Sequence, residues 1–153
     1  MTRNAVVYTA QSKQYFYCRD AVCEFVFRHN SIPINPFRLF DYFLSDRVAR
    51  DQVRAANAEM LSRCDEVWVF GETIADGVLV EIAQAVSENK PVRYFTIDNQ
   101  ADRIHELGPE RLSFENEVHA GTGLSKSELL DRMMCGRALD VVSALGRPVR
   151  ATA

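Results

Sequence analysis

Three carboxylates and two glycines follow one short apolar run. The segment DEVWVF, residues 65–70, leads into Gly71, Glu72, Asp76, Gly77 and Glu81. This spacing brings acidic groups to the end of a strand and the first turn of the next helix. Glu81 stands four residues beyond Gly77, so a helix that starts near the glycine places the two on one face. A carboxylate held there, partly withdrawn from water and near the N–H groups of a helix start, can be kept ionised and aimed at an electron-poor carbon. That is the chemistry of a nucleophile at a glycosidic carbon. A plainer reading stands beside it, in which Glu72 and Asp76 cap the helix and Glu81 faces water.

The elements that must position these groups alternate along the chain. Residues 5–9 (AVVYT) form an apolar, β-branched run that predicts a buried strand, followed by a polar turn at 11–13. Tyr15, Cys18, Val22, Phe25, Val26 and His29 recur at steps of three and four, predicting a helix over 14–29. SIPIN at 31–35 reads as a strand whose Pro33 suits an edge, because proline cannot donate to the ladder. The aromatic-rich residues 36–46 have no clean period. A helix over 47–64, the strand 65–70, a helix beginning near Gly77 and a strand over 91–97 (PVRYFTI) complete the order β-α-β-α-β-α-β. Beyond it, a short helix over 98–107 and a strand near 111–114 are expected. A capping box at Ser125–Glu128 then opens one long helix, running to Leu145 before Gly146 and Pro148 end it.

Alternating strands and helices with short connections require right-handed crossovers. The expected fold is α/β, one domain over residues 1–153, with a doubly wound, mostly parallel sheet of four to five strands and helices on both faces. In such sheets ligands bind outside the carboxyl ends of the strands that flank the switch point. The loops after Thr9 and Phe70 are therefore where chemistry is expected.

Asp65 at the head of the central strand, Gly77 after the loop, Glu81 four residues on and the small-residue helix EIAQA form a pattern that resembles the nucleoside 2-deoxyribosyltransferase-like superfamily, which includes deoxynucleoside monophosphate N-glycosidases. The resemblance is strongest to a bacterial branch of unassigned function and covers roughly residues 5–97. It implies cleavage of the bond between a sugar and a base through a covalent glycosyl ester on Glu81, completed by water or a second base. It also implies that Tyr8 positions the nucleophile, although a tyrosine packed beneath the sheet edge is the alternative, and that no metal or organic cofactor is required. Two positions depart from the superfamily pattern. Asn57 stands eight residues before Asp65, where an acid/base Asp is usual, so Asp76 or Glu72 must supply that role or the protein binds its ligand without turnover. The first loop reads TAQSKQ rather than a Gly- and Ser-rich phosphate turn, leaving Thr9, Ser12 and Lys13 as its polar contacts.

The aromatic segment offers Phe37, Phe40, Tyr42 and Phe43 as a surface on which a nucleobase stacks, with Arg38 and Asp41 reading its edge. Packing on the sheet or an oligomer contact is the alternative. With Asn57, Gly71, Glu72 and Gly77 added, these residues complete the candidate binding set for a nucleoside or nucleotide. The rival function is a non-catalytic module that binds a nucleotide-like ligand or signals to a partner. A flavin-holding redox domain is disfavoured, because the first loop lacks the Ser/Thr/Gly density that cradles a flavin phosphate.

Composition narrows the partners. The 153 residues are 47% hydrophobic, and 18 Lys+Arg against 21 Asp+Glu give a formal charge of −3, which disfavours duplex nucleic acid as a ligand. No apolar stretch approaches the length of a membrane helix, and the amino terminus does not resemble a signal peptide, so a cytoplasmic protein without a membrane partner is expected. Cys18, Cys23, Cys64 and Cys135 lack zinc-site spacing and read as buried thiols, and no metal site is expected. His29, His105 and His119 lie on separate segments and are given no role, and Trp68 reads as core. The C-terminal helix, with its Met and Leu residues, is a candidate surface for a homo-oligomer of two or more copies.

Overall fold

The sheet forms where the chain is most apolar and β-branched. The computed structural model describes residues 3–146, apart from the side chains of Asp41 and Tyr42; Pro148, expected to help end the last helix, lies outside the described residues. The first half runs β1 (Val6–Gln11), a 3₁₀ helix (Lys13–Cys18), α1 (Arg19–Arg28), β2 (Ile32–Ile34), α2 (Pro36–Leu39), α3 (Asp41–Leu44) and α4 (Arg50–Ser62). It continues with β3 (Glu66–Phe70), β4 (Thr73–Ile74), α5 (Asp76–Ser87), β5 (Val92–Phe95), β6 (Glu106–Leu107), β7 (Ser113–Phe114), α6 (Asn116–Thr122), α7 (Lys126–Met134) and α8 (Ala138–Ala144).

The main sheet has five strands in the order β2-β1-β3-β5-β6, parallel except for β6, and β4 pairs with β7 in a separate two-stranded ladder. This is the doubly wound α/β architecture, with its switch point between β1 and β3. Residue alternation along the strands divides the core in two. Tyr8, Ala10, Val67 and Val69 face α4, α5 and the C-terminal helices, while Val7, Trp68 and Phe70 face α1 and Phe95. Pro33 sits on the edge strand, where its missing N–H costs no ladder bond.

At the base of the sheet, Asp65 joins the starts of the two central strands. Its carboxylate accepts from the Val6 N–H at 2.8 Å and from Arg3 at 2.5 Å. At the other end, Gly71 leaves β3 with φ +112°, a conformation that favours glycine, and its N–H donates to the Phe95 carbonyl at 2.8 Å. The chain thereby turns across the top of the sheet toward α5.

Several expected elements differ in extent. β1 continues through Gln11, which was expected in a turn, because parallel pairing with β3 extends to Gln11 opposite Phe70. The helix expected over 14–29 begins instead as a 3₁₀ segment capped by Ser12. The expected helix over 98–107 is a 3₁₀ turn (Ala101–Arg103) followed by β6, which caps the sheet in antiparallel sense. The expected long C-terminal helix is two, α7 and α8, broken where Gly136 adopts φ +77°. Their Leu129, Ala138, Val141 and Val142 are buried in the core over α5, while Met134 and Leu139 stay exposed. Among the described residues no helix is long and apolar enough to cross a membrane.

Candidate functional site

The carboxyl ends of β1 and β3 open into a cleft of about 1200 Å³. Its floor is Thr9, Gln11 and Ser12, one wall is the start of α5, the facing wall is α4, and residues 36–37 and 43–48 cover one side. Glu115 and Glu117 approach from the far end of the chain.

On α5, Gly77, Glu81 and Gln84 fall at intervals of four and three, so one helical face presents all of them to the cleft. Asp76 opens this helix, and its carboxylate accepts from the adjacent Gly77 N–H at 2.7 Å, but the N-cap position is Ala75 and carries no side-chain cap, so neither Asp76 nor Glu72 caps the helix as the plainer reading expects. It nevertheless lines the cleft. Gln84 fixes the helix against α4. It is buried, and its amide nitrogen donates to the Ala58 carbonyl at 2.8 Å, Ser62 Oγ at 3.0 Å and Glu88 Oε2 at 2.9 Å.

Tyr8 is fully buried behind Glu81. Burial first, then the Glu81 charge and a hydrogen bond to its carboxylate, hold the Tyr8 hydroxyl well above its ordinary pKa. The hydroxyl lacks a partner of regular hydrogen-bond geometry, so this is a loose contact rather than an ideal one. Tyr8 thus remains a protonated phenol, on an inner strand of the sheet rather than at its edge, with its hydroxyl beside Glu81.

The floor is held by a buried polar network. Asn35 Nδ2 donates to Thr9 Oγ1 and to Gln11 Oε1, both at 2.8 Å, and Asn35 Oδ1 accepts from the Phe37 N–H at 3.0 Å. Gln11 in turn donates to the Tyr15 carbonyl at 2.7 Å. The aromatic segment is thereby tied to β1, and Phe37 packs on Phe43 with ring centroids 5.3 Å apart at the cleft. Gln11 and Asn35 were not among the sequence candidates. The Asn35–Pro36 pair, an N-cap followed by proline at the first helical position, was the local signal for the latter.

The structure brings Glu81, Asp76, Gly77, Asn57, Thr9, Ser12, Lys13 and Phe37 together around one cleft. Besides the buried Tyr8, four other candidates stand outside its lining. Arg38 is exposed and ion-paired with Asp20 on α1, which occupies the guanidinium expected to read a base. Phe40 lies at the junction of α2 and α3, Gly71 serves the turn after β3, and Glu72 is exposed, with its carbonyl accepting from the Ser113 N–H at 2.8 Å. The side chains of Asp41 and Tyr42 lie outside the described residues. Asn57 Oδ1 is buried without a hydrogen-bond partner.

Sequence reasoning also missed Glu115. Its Oε2 accepts from Ser12 Oγ at 3.0 Å across 103 positions of sequence, and no local pattern announces such a contact. The ladder of β4 and β7 delivers it: the Ser113 N–H bonds to the Glu72 carbonyl, and the Glu115 N–H bonds to the Ile74 carbonyl at 2.9 Å. Among the described residues no group of three or more His, Cys, Asp or Glu side chains is placed to hold a metal ion.

Fold and cleft define a doubly wound α/β protein with a carboxylate-lined crevice at its switch point. The chain belongs to the family described as "Domain of unknown function (DUF7768)", whose model matches residues 7–95. That span runs from β1 through β5 and includes Tyr8, Asn57, Asp76 and Glu81, whereas Glu115 falls beyond it. No curated protein matches the chain.

Proposed function

We propose that the cleft cleaves or transfers the N-glycosidic bond of a nucleoside or nucleotide, in keeping with the resemblance to the nucleoside 2-deoxyribosyltransferase-like superfamily. The observation that carries this reading is Glu81 on the cleft wall, backed by the buried Tyr8 hydroxyl. In the first step a Glu81 oxygen bonds to the anomeric carbon, the carbon–nitrogen bond breaks with its electron pair going to the base, and Asp76 supplies the proton the base takes up. In the second, water attacks the glycosyl ester, frees the Glu81 carboxylate and returns a proton to Asp76; a second base in place of water gives transfer. Tyr8 orients Glu81, and Phe37 with Phe43 supplies the flat surface for the base.

No added cofactor is required by this chemistry. A cytoplasmic setting fits the four free cysteines, and the exposed Met134 and Leu139 leave α7 and α8 as the surface for assembly of copies. The test is chromatographic detection of free base from a panel of nucleosides and nucleoside monophosphates, repeated with Glu81→Ala and Glu81→Gln. Release that both substitutions abolish supports the enzyme.

Asn57 favours a second reading, a module that binds such a ligand without turning it over. Its amide cannot exchange a proton in the working pH range, and it occupies the cleft position where the superfamily pattern has an acid. Tight binding with no base liberated supports that reading.

A further inference from the structure

We propose that Glu115 is a specificity-determining residue, a built-in anion that makes the cleft select an uncharged nucleoside over the same nucleoside carrying a phosphate. This inference rests on the nucleoside reading of the cleft. Ser12 is buried on the cleft floor and gives its hydroxyl hydrogen to Glu115 Oε2 at 3.0 Å. A hydroxyl has a single proton, so Ser12 in this arrangement has none left for an anionic ligand.

Two neighbouring neutral donors, Thr9 and Gln84, are also committed, whereas the Asn57 amide lies on the α4 wall, away from the Ser12–Glu115 contact on the floor. Thr9 donates to the Ile34 carbonyl at 3.4 Å, and the Gln84 amide serves Ala58, Ser62 and Glu88. Among the described residues the cations left to meet a phosphate are Lys13, Arg50 and Arg54, and Arg54 is ion-paired with Asp51 at 3.3 Å. Asp76, Glu81, Glu115 and Glu117 line the same cleft, and Asp46, Asp51 and Glu59 add to them on the α4 side.

A phosphate placed at Ser12 therefore meets a carboxylate already seated there, and like charges brought together in a partly desolvated cleft repel. A sugar hydroxyl or a base amino group donates to the lone pairs that Ser12 leaves open on Glu115. The contact thus refuses an anion and accepts a donor. Holding the chain does not require this side chain, because the Glu115 N–H is already bonded to the Ile74 carbonyl.

The test uses the full chain and its E115Q and E115A variants, with the common deoxynucleosides and ribonucleosides and their 5'-monophosphates as probes. Base release and calorimetric binding are measured in parallel. The unsubstituted protein is expected to prefer nucleosides by about tenfold or more in kcat/KM and in Kd. Both variants are expected to narrow that ratio by about tenfold, chiefly through a lower KM and Kd for the monophosphates. A purely structural role lowers both substrate classes together and leaves the ratio intact, which overturns the inference, as does a monophosphate preference in the unsubstituted protein. If no base is freed from any probe, the N-glycosidic reading fails and binding alone decides. Tighter nucleoside binding with a gap that closes in E115Q sustains the inference, and the reverse order, or no binding, overturns it.

Discussion

The two faces of the sheet each carry a hollow, and they treat charge differently. On the α1 face, a hollow of about 380 Å³ beside β5 and β6 contains Arg28, Arg93, Asp102 and Glu106. Each arginine there meets a carboxylate. Arg93 makes a bidentate pair with Glu106 at 2.8 and 2.9 Å and lies over the rings of Trp68 and Phe95, and Arg28 pairs with Asp102. On the other face, seven acidic side chains and three basic ones line the cleft at the ends of β1 and β3. Charge balanced in place braces an edge of the sheet. Charge left in excess over a polar floor makes a surface that discriminates among ligands.

The contrast can be broken by substitutions on either side. The largest expected effect is at Glu81. Glu81→Gln is expected to lower base release by about three orders of magnitude while leaving stability within about 0.5 kcal/mol, checked by product chromatography alongside urea unfolding. Equal losses of activity and stability would make the cleft wall structural. Next comes Phe95→Ala, which removes a buried ring stacked on Phe70 with centroids 5.1 Å apart. It is expected to cost about 3–4 kcal/mol of unfolding free energy, read from urea denaturation, while leaving turnover per folded molecule unchanged.

A smaller effect depends on pH. Burial pushes the Cys64 thiol up from 9.0 to about 11, and burial with the Glu81 charge raises Tyr8. Both groups bind their protons more tightly in the folded state. The stability Cys64 contributes is therefore complete below pH 9 and is lost as pH rises to about 11, and the raised Tyr8 adds a loss of the same sign above its ordinary pKa of 10.0. A loss of about 1–2 kcal/mol between pH 8 and pH 10.5 is expected, flattened in Cys64→Ala. The smallest effect is at the hollow's rim. Arg93→Met is expected to cost about 1 kcal/mol or less, because the pair is more than a third exposed, and added salt should shrink the difference further.

The strands AVVYT, DEVWVF and PVRYFTI were legible because burial on both faces writes a continuous apolar run, and Pro33 marked the edge. Gly77 and Glu81 were legible because a four-residue step is a local property of one helix. Gln11 was not, since whether a polar residue ends a strand or extends it is decided by the partner strand, here β3. The break at Gly136 is written in the sequence only as a lone glycine between two stretches of helical apolar spacing, which by itself does not fix where a helix ends. Glu115 could not be read at all. It enters the cleft through a two-residue parallel ladder between segments about forty positions apart, too short to carry any period.

That ladder divides the cleft by construction. Glu81 stands on α5, which packs with Tyr8 of β1 in the larger core cluster, where any shift propagates through packed side chains. The opposite rim is held by main-chain links at residues 72–74 and 113–115 and by Leu112, Phe114 and Val118, which are buried in the same core. On the proposed reading, preference and reactivity sit on two segments of one core, so the rim is retuned by exchanging Glu115 alone, with the buried Leu112 and Phe114 kept.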